Sequence, residues 1–395
     1  MKNKYASTLV ACYIGYMVQA IVNNLTPLLF AQFGTEFSFS ASEIAIIIAV
    51  NFTVQILVDT LSAGIALKIG YRRSAVAAHL FSVVGLILLG VLPNSGMSPF
   101  AGILIATVFT AIGGGFIEVV ISPLVEALPL GNKSGAMSFL HSFYCWGHIF
   151  VVLFATAYFS IFGIASWKFL PIVLCIIPAI NAILLSKCPF ETLSGDENPV
   201  PYRKIFAFKG FFIFIIIMLC AGAAELAVAQ WASYFAEITL KIENKAVGDL
   251  LGTCLFALGM ALSRTVYGFF GDRLNLKAII LLSAALLCGA YLLIALSPVP
   301  YLSLVGVALG GAFVGMMWPG TYSIAGKTYK NGGTKMFGML ALAGDIGCLT
   351  GPALVGLISE DIRTGLLVST VFPAVLFVGM LALTITKIGN GQKEE

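Results

Sequence analysis

Long uninterrupted apolar runs limit what this chain can fold into more than any other feature. The stretch from Phe211 to Gly222, Phe-Phe-Ile-Phe-Ile-Ile-Ile-Met-Leu-Cys-Ala-Gly, carries no charge, and runs of the same character recur along all 395 residues. A half-buried strand alternates in polarity, and so do the strands of a lipid-embedded barrel; neither pattern is present. A helix crossing a bilayer needs about 20 mostly apolar residues. Composition makes lipid the solvent, because 59% of the residues are hydrophobic and 10% are charged, whereas soluble domains carry about 25% charged residues. The chain therefore reads as an all-α membrane protein.

Breaking the sequence where Lys, Arg, Asp, Glu, Pro or Asn cluster predicts twelve spans, near 5–33, 40–67, 74–92, 99–128, 134–161, 166–187, 208–237, 247–271, 276–296, 299–329, 334–358 and 363–387. The polar stretch between Cys188 and Ala207 separates them six and six, which predicts an N-terminal six-helix bundle over 1–187, a linker over 188–207 and a C-terminal six-helix bundle over 208–395. The N-terminus is basic and then apolar without a small-residue cleavage site, so it reads as the first membrane helix, retained. Loops rich in Lys and Arg stay on the cytoplasmic side. With the N-terminus inside, the outer segments hold only Lys168, Lys241, Lys245 and Arg363. Both termini and the linker are thus expected in the cytoplasm, in a cell (inner or plasma) membrane.

The net charge of +4 is spread over many loops, unlike the clustered basic patches of nucleic-acid binders, so no nucleic-acid partner is expected. Cys12, Cys145, Cys175, Cys188, Cys220, Cys254, Cys288 and Cys348 lie almost entirely in apolar runs with no C-x-x-C pair. They read as small buried side chains; no metal site or cofactor is expected.

After span 8 stands Gly268-Phe-Phe-Gly271-Asp272-Arg273-Leu274-Asn275-Leu276-Lys277. Asp272 is placed to meet the positive N-terminal end of a neighbouring helix, with Arg273 in the cytoplasm. After span 2 stands Leu67-Lys68-Ile69-Gly70-Tyr71-Arg72-Arg73, which keeps the glycine and the basic residues, Arg72 among them, but has Leu67 where the acid would be. Nearly the same offset that carries Leu67 onto Asp272 carries Gly147 in span 5 onto Gly351 in span 11. Two landmarks that agree on nearly one repeat length indicate a duplicated six-helix unit.

Ionisable residues inside spans are the most informative feature, since each costs about 2.5–3.5 kcal/mol at a helix centre. They are Asp59, Glu118, His141, Glu225, Arg264 and Asp345, with His79 and His148 as weaker members. Asp59 and Arg264 stand at equivalent places in the two halves and read as gating or structural charges, with Asp272, Arg273 and Arg72. Glu118 follows Gly113-Gly114-Gly115 and precedes Ser122-Pro123, so span 4 is expected to be a broken, polar helix lining a cavity. Glu225 likewise has small residues before it and aromatic residues, beginning with Trp231, after it. Glu118, Glu225 and Asp345 are the candidates for proton coupling.

Around this layer lie the amides Gln19, Asn23, Asn24, Asn51 and Gln55, the span 5 face His141, Tyr144, Cys145 and His148, and Trp318 beside Pro319. Carboxylates and amides hydrogen-bond adjacent hydroxyls, and an aromatic ring covers an apolar C–H face. The expected substrate-binding set is Gln19, Asn23, Asn24, Asn51, Gln55, Glu118, His141, Tyr144, Glu225, Trp231, Trp318 and Asp345.

The loop after span 8 resembles the G-x-x-x-D-R-x-G-x-[RK] loop of the major facilitator superfamily. Adding the Asn-x-x-x-Pro of span 1 (Asn23 to Pro27), Glu118 in span 4 and the Met-Trp-Pro of span 10 (Met317 to Pro319), the chain resembles the fucose–galactose–glucose:proton symporter family. That resemblance implies the major facilitator fold of two pseudo-symmetric bundles, alternating access, and a glutamate in span 4 that handles proton or substrate, for which Glu118 is the matching position. Proton-coupled fucose transporters of the family carry an aspartate in span 1, where this chain has Asn23. The expected function is secondary transport of a small hydrophilic solute, a sugar or sugar derivative before others, in symport with a cation, a proton before sodium, by a monomer in the lipid bilayer. A drug or metabolite:proton antiporter is the alternative within transport, and a membrane receptor or enzyme the remote one. No P-loop for ATP is present.

Overall fold

The computed structural model describes residues 4–129, 133–190, 202–208, 210–270, 275–329, 333–358 and 360–386. Among them the regular structure is helical, with no strand. Asp272, Arg273 and most of the expected linker lie outside the described residues. Among the described residues, twelve helical segments are long and apolar enough to cross a membrane, and they are spans 1 to 12 in chain order: Ala6–Phe37, Ala41–Leu61, Tyr71–Asn94, Pro99–Ala127, Phe139–Phe162, Phe169–Lys187, Phe211–Thr239, Lys245–Tyr267, Leu276–Leu296, Pro300–Thr328, Met336–Ile358 and Ile362–Ile385. Large apolar side chains stand outward, Ile161 at 73% exposure and Ile385 at 69%, as side chains facing lipid must. None of the eight cysteines, all among the described residues, forms a disulfide. The chain divides into two compact units, Met1–Ser194 with Ile242–Leu250, and Gly195–Lys241 with Leu251–Glu395.

In the first unit, the helix of span 2 starts on a capping box in which Ser40 and Glu43 satisfy each other's backbone N–H groups. It ends at Gly70, whose φ of +92° suits a residue without Cβ; the loop glycine noted in the sequence thus stops one helix and starts the next. Two residues on, Arg72 donates to the carbonyls of Ser186 and Cys188 at 3.4 and 2.8 Å. These belong to the end of span 6, where carbonyls lack helical donors and a cation is favoured. His79 in span 3 and Asn181 in span 6 are joined at 2.8 Å, and Asn181 also donates to the carbonyl of Ala11 in span 1.

The glycine run of span 4 gives each neighbour its own contact. A Cβ on Gly113 would collide with Ser82 of span 3, one on Gly114 would lie 3.4 Å from the Asn23 side chain, and one on Gly115 would lie 3.0 Å from the Asp59 carboxylate. The expectation of a broken span 4 is corrected: Pro99–Ala127 is one continuous helix with Pro123 inside it. Pro123 lies in the last turns, where few hydrogen bonds follow the N–H it lacks, and close packing holds the remainder. Interruption falls instead in span 1, where helix Ala6–Asn24 gives way to a 3₁₀ turn, Thr26–Leu29, containing Pro27.

The second unit repeats this design. Span 7, the counterpart of span 1, runs as helix Phe211–Ala229, is interrupted at Gln230 and Trp231, and continues through Ala232–Tyr234 into a π-helical turn, Phe235–Thr239. Gly147 of span 5 lies against Met17 and Ala20 of span 1, and its repeat partner Gly351 of span 11 lies against Ala223 of span 7. Small residues let membrane helices approach closely, so the matching glycines mark matching interfaces. Span 10 is divided into Pro300–Val314 and Met317–Thr328.

Candidate solute and proton sites

In the first unit the polar residues of span 1 each find a different partner. Tyr16, Gln19 and Asn23 follow at spacings of three and four, which puts them on one helical face. Tyr16 Oη pairs with Ser122 Oγ at 2.6 Å, and Gln19 Nε2 donates to Glu118 Oε2 at 2.6 Å. Asn23 and Gln55 form a reciprocal amide pair, with Gln55 Nε2 donating to Asn23 Oδ1 at 2.9 Å and the return bond at 3.5 Å. Asn24 Nδ2 donates to the carbonyl of Ala20 at 2.9 Å and to Tyr144 Oη at 3.4 Å. Gln19, Asn23, Asn24 and Gln55 are all buried, while Glu118 is half-buried. Gln19 Oε1 is buried and has no hydrogen-bond partner among the described residues. The half-buried carboxylate of Glu118 can carry a proton, and the amide beside it holds an acceptor unmet by protein.

Asn51 is half-buried one helical turn before Gln55. His141 is exposed, with its ring edge-on to Tyr16 at 5.2 Å between centroids. The remainder of the span 5 face turns inward: Cys145 and His148 are buried and Tyr144 is half-buried. Asp59 lies beside Gly115, three residues and about one turn before Glu118 on span 4. Tyr16 was not among the sequence candidates, although its three-residue spacing from Gln19 was a signal that could have found it.

In the second unit, Glu225 in span 7 is buried and ion-paired to Arg264 of span 8, with Arg264 Nη2 3.1 Å from Glu225 Oε2. Arg264 Nε also donates to the carbonyl of Gly315, where span 10 is divided, at 3.1 Å. The repeat position alone, which matches Arg264 with Asp59, did not point to this pairing with Glu225. Trp231 is fully buried and donates Nε1–H to the carbonyl of Pro352 in span 11 at 3.0 Å, which makes it a packing anchor between spans 7 and 11. Trp318 is half-buried, and a Cβ on Gly344, next to the half-buried Asp345, would overlap its ring. The outer edge of the indole's six-membered ring therefore abuts span 11 one residue from that carboxylate.

A comparison of the sequence with curated proteins returns no match. Solved structures resemble the chain closely in fold and weakly in sequence. The D-xylose-proton symporter superposes with a TM-score of 0.80 at 12% identity, over 96% of this chain and 97% of that one. A point mutant of the nucleoside transporter NupG gives 0.77 at 12% identity, over 95% and 99%. A point mutant of the E. coli fucose:proton symporter FucP gives 0.66 at 17% identity, over 96% and 99%. The family model described as Major Facilitator Superfamily matches residues 12–247 and 243–395, and the chain belongs to that superfamily of membrane transporters.

Proposed function

We propose that the protein moves a small, polyhydroxylated solute, a sugar or sugar derivative, in symport with a proton carried by Glu118. The observation that carries this reading is the Gln19–Glu118 hydrogen bond at 2.6 Å, with Gln19 Oε1 buried and unmatched. With Glu118 charged, the carboxylate engages the Gln19 N–H and leaves Oε1 unmatched. With Glu118 protonated, its O–H can donate to Oε1 and release the Gln19 N–H for a solute hydroxyl, so the proton prepares the same amide for the solute and the two travel together. Asn23, Gln55, Asn24 and Tyr144 supply further donors and acceptors along the same unit. In the second unit, taken by itself, the ring of Trp318 is the side chain suited to a sugar's C–H face. The proteins it resembles in fold support the class of cargo, being named for fucose, D-xylose and nucleosides.

The test is uptake of radiolabelled L-fucose, D-xylose and uridine into proteoliposomes, with an imposed pH gradient, an imposed sodium gradient, or none. Accumulation of at least one solute driven by an inward proton gradient is expected. Glu118→Gln should abolish accumulation while sparing counterflow exchange, because the amide keeps hydrogen bonding but cannot gain and lose a proton. Normal accumulation by that variant removes Glu118 from coupling, and efflux driven by the inward proton gradient identifies antiport instead.

A further inference from the structure

Span 10 divides where Pro319 makes a local defect inevitable. A proline has no N–H to donate to the carbonyl four residues earlier, and for Pro319 that carbonyl belongs to Gly315. Arg264 supplies the missing donor, its Nε lying 3.1 Å from Gly315 O. Gly315 itself is pressed against span 8, since a Cβ there would lie 2.9 Å from the carbonyl of Met260 and 3.0 Å from Ser263 Cβ. The same guanidinium reaches Glu225 with Nη2. On span 7, one turn before Glu225, Gly222 lies under the carbonyl of Gly344 on span 11, and Gly344 lies under the Trp318 ring. Trp318 occupies the first turn of the helix that restarts after the break, Met317–Thr328. The contacts close a ring through Glu225, Arg264, Gly315, Trp318, Gly344 and Gly222.

We propose that Arg264 is a positioning residue that substitutes for the missing N–H of Pro319, and so fixes the Trp318 ring according to whether Glu225 holds its guanidinium. Anything that takes Glu225 away from Arg264, a proton or a solute hydroxyl, then frees the break in span 10 and moves the aromatic platform. The inference rests on the transport reading only in treating Trp318 as part of the solute surface. A guanidinium meets the requirement because its fork offers several donors in a fixed plane, whereas a lysine ammonium cannot occupy both positions in the same geometry.

The test uses the full chain labelled with 5-fluorotryptophan in lipid nanodiscs, without any solute, so its outcome is independent of the uptake assay. Four fluorine resonances are expected, one each for Trp146, Trp167, Trp231 and Trp318, the last assigned by its loss in Trp318→Phe. Arg264→Lys should shift the Trp318 resonance by more than its linewidth and leave the other three in place. Should Arg264→Lys fail to fold, Glu225→Gln, which keeps the size and an acceptor, must shift the same resonance. A Trp318 line unmoved in whichever variant folds overturns the proposal, as does a common displacement of all four lines, which would make Arg264 a general structural residue.

Discussion

Arg264 illustrates how a single side chain can be indispensable without adding stability in proportion to its contacts. Its ion pair with Glu225 is largely sequestered, the two side chains being 17% and 7% exposed, and removing one member of a buried pair strands the other. Arg264→Met should therefore lower stability by about 3–5 kcal/mol. The double variant Glu225→Gln with Arg264→Met should recover part of that loss, since neither charge is then left unpaired. Unfolding midpoints of the purified variants in detergent would decide; a double variant less stable than Arg264→Met would show that the pair is not the dominant contact of either residue. The sequence marked both residues as costly charges inside spans, but not that they were partners, because which faces of spans 7 and 8 meet is decided by how the helices pack.

At the scale of elements, glycine is what allows these helices to approach, and its effect depends on which face it occupies. Gly347 in span 11 lies against the backbone of span 7, where a Cβ would collide with the carbonyl of Leu219, whereas Gly289 in span 9 has nothing within 4 Å. Gly347→Ala should push spans 7 and 11 apart and sharply reduce the yield of folded protein. Gly289→Ala should leave folding intact and stabilise its helix by up to about 1 kcal/mol, the propensity difference between the two residues. Thermal unfolding of the two variants side by side separates these outcomes, and equal behaviour would refute the contact assignment. The sequence shows both as glycines in apolar runs. Only the packing distinguishes a contact glycine from an idle one.

For the molecule as a whole, the distribution of basic residues yields an orientation that can be tested without knowing the solute. We expect both termini on the cytoplasmic side, because the opposite segments hold only Lys168, Lys241, Lys245 and Arg363. A green fluorescent protein fused after residue 395 should be fluorescent, and alkaline phosphatase inserted at Gly163 should be active. Inactive phosphatase with a dark C-terminal fusion would invert the topology. The repeat acts at the same scale: Gly147 against span 1 and Gly351 against span 7 hold equivalent places in their units, and spans 1 and 7 are both interrupted in mid-course.

Solvent and period are legible along the chain. Apolar runs of spanning length set twelve helices and offset landmarks disclosed the duplication, because each is a pattern of residue types that recurs along the sequence and needs no knowledge of which helices touch. Glu118 and the amides of span 1 were visible for the same reason, as polar groups where lipid forbids them. The tertiary structure alone decided their partners: Gln19 for Glu118, Gln55 for Asn23, Glu225 for Arg264. It also turned Trp231 into a packing anchor on Pro352 and carried the span 4 helix through Pro123 while interrupting span 10 ahead of Pro319. A hydrogen bond between spans depends on how two helices rotate and approach, and those variables are fixed by the sum of small and large residues along the whole interface, which no local pattern in the sequence records.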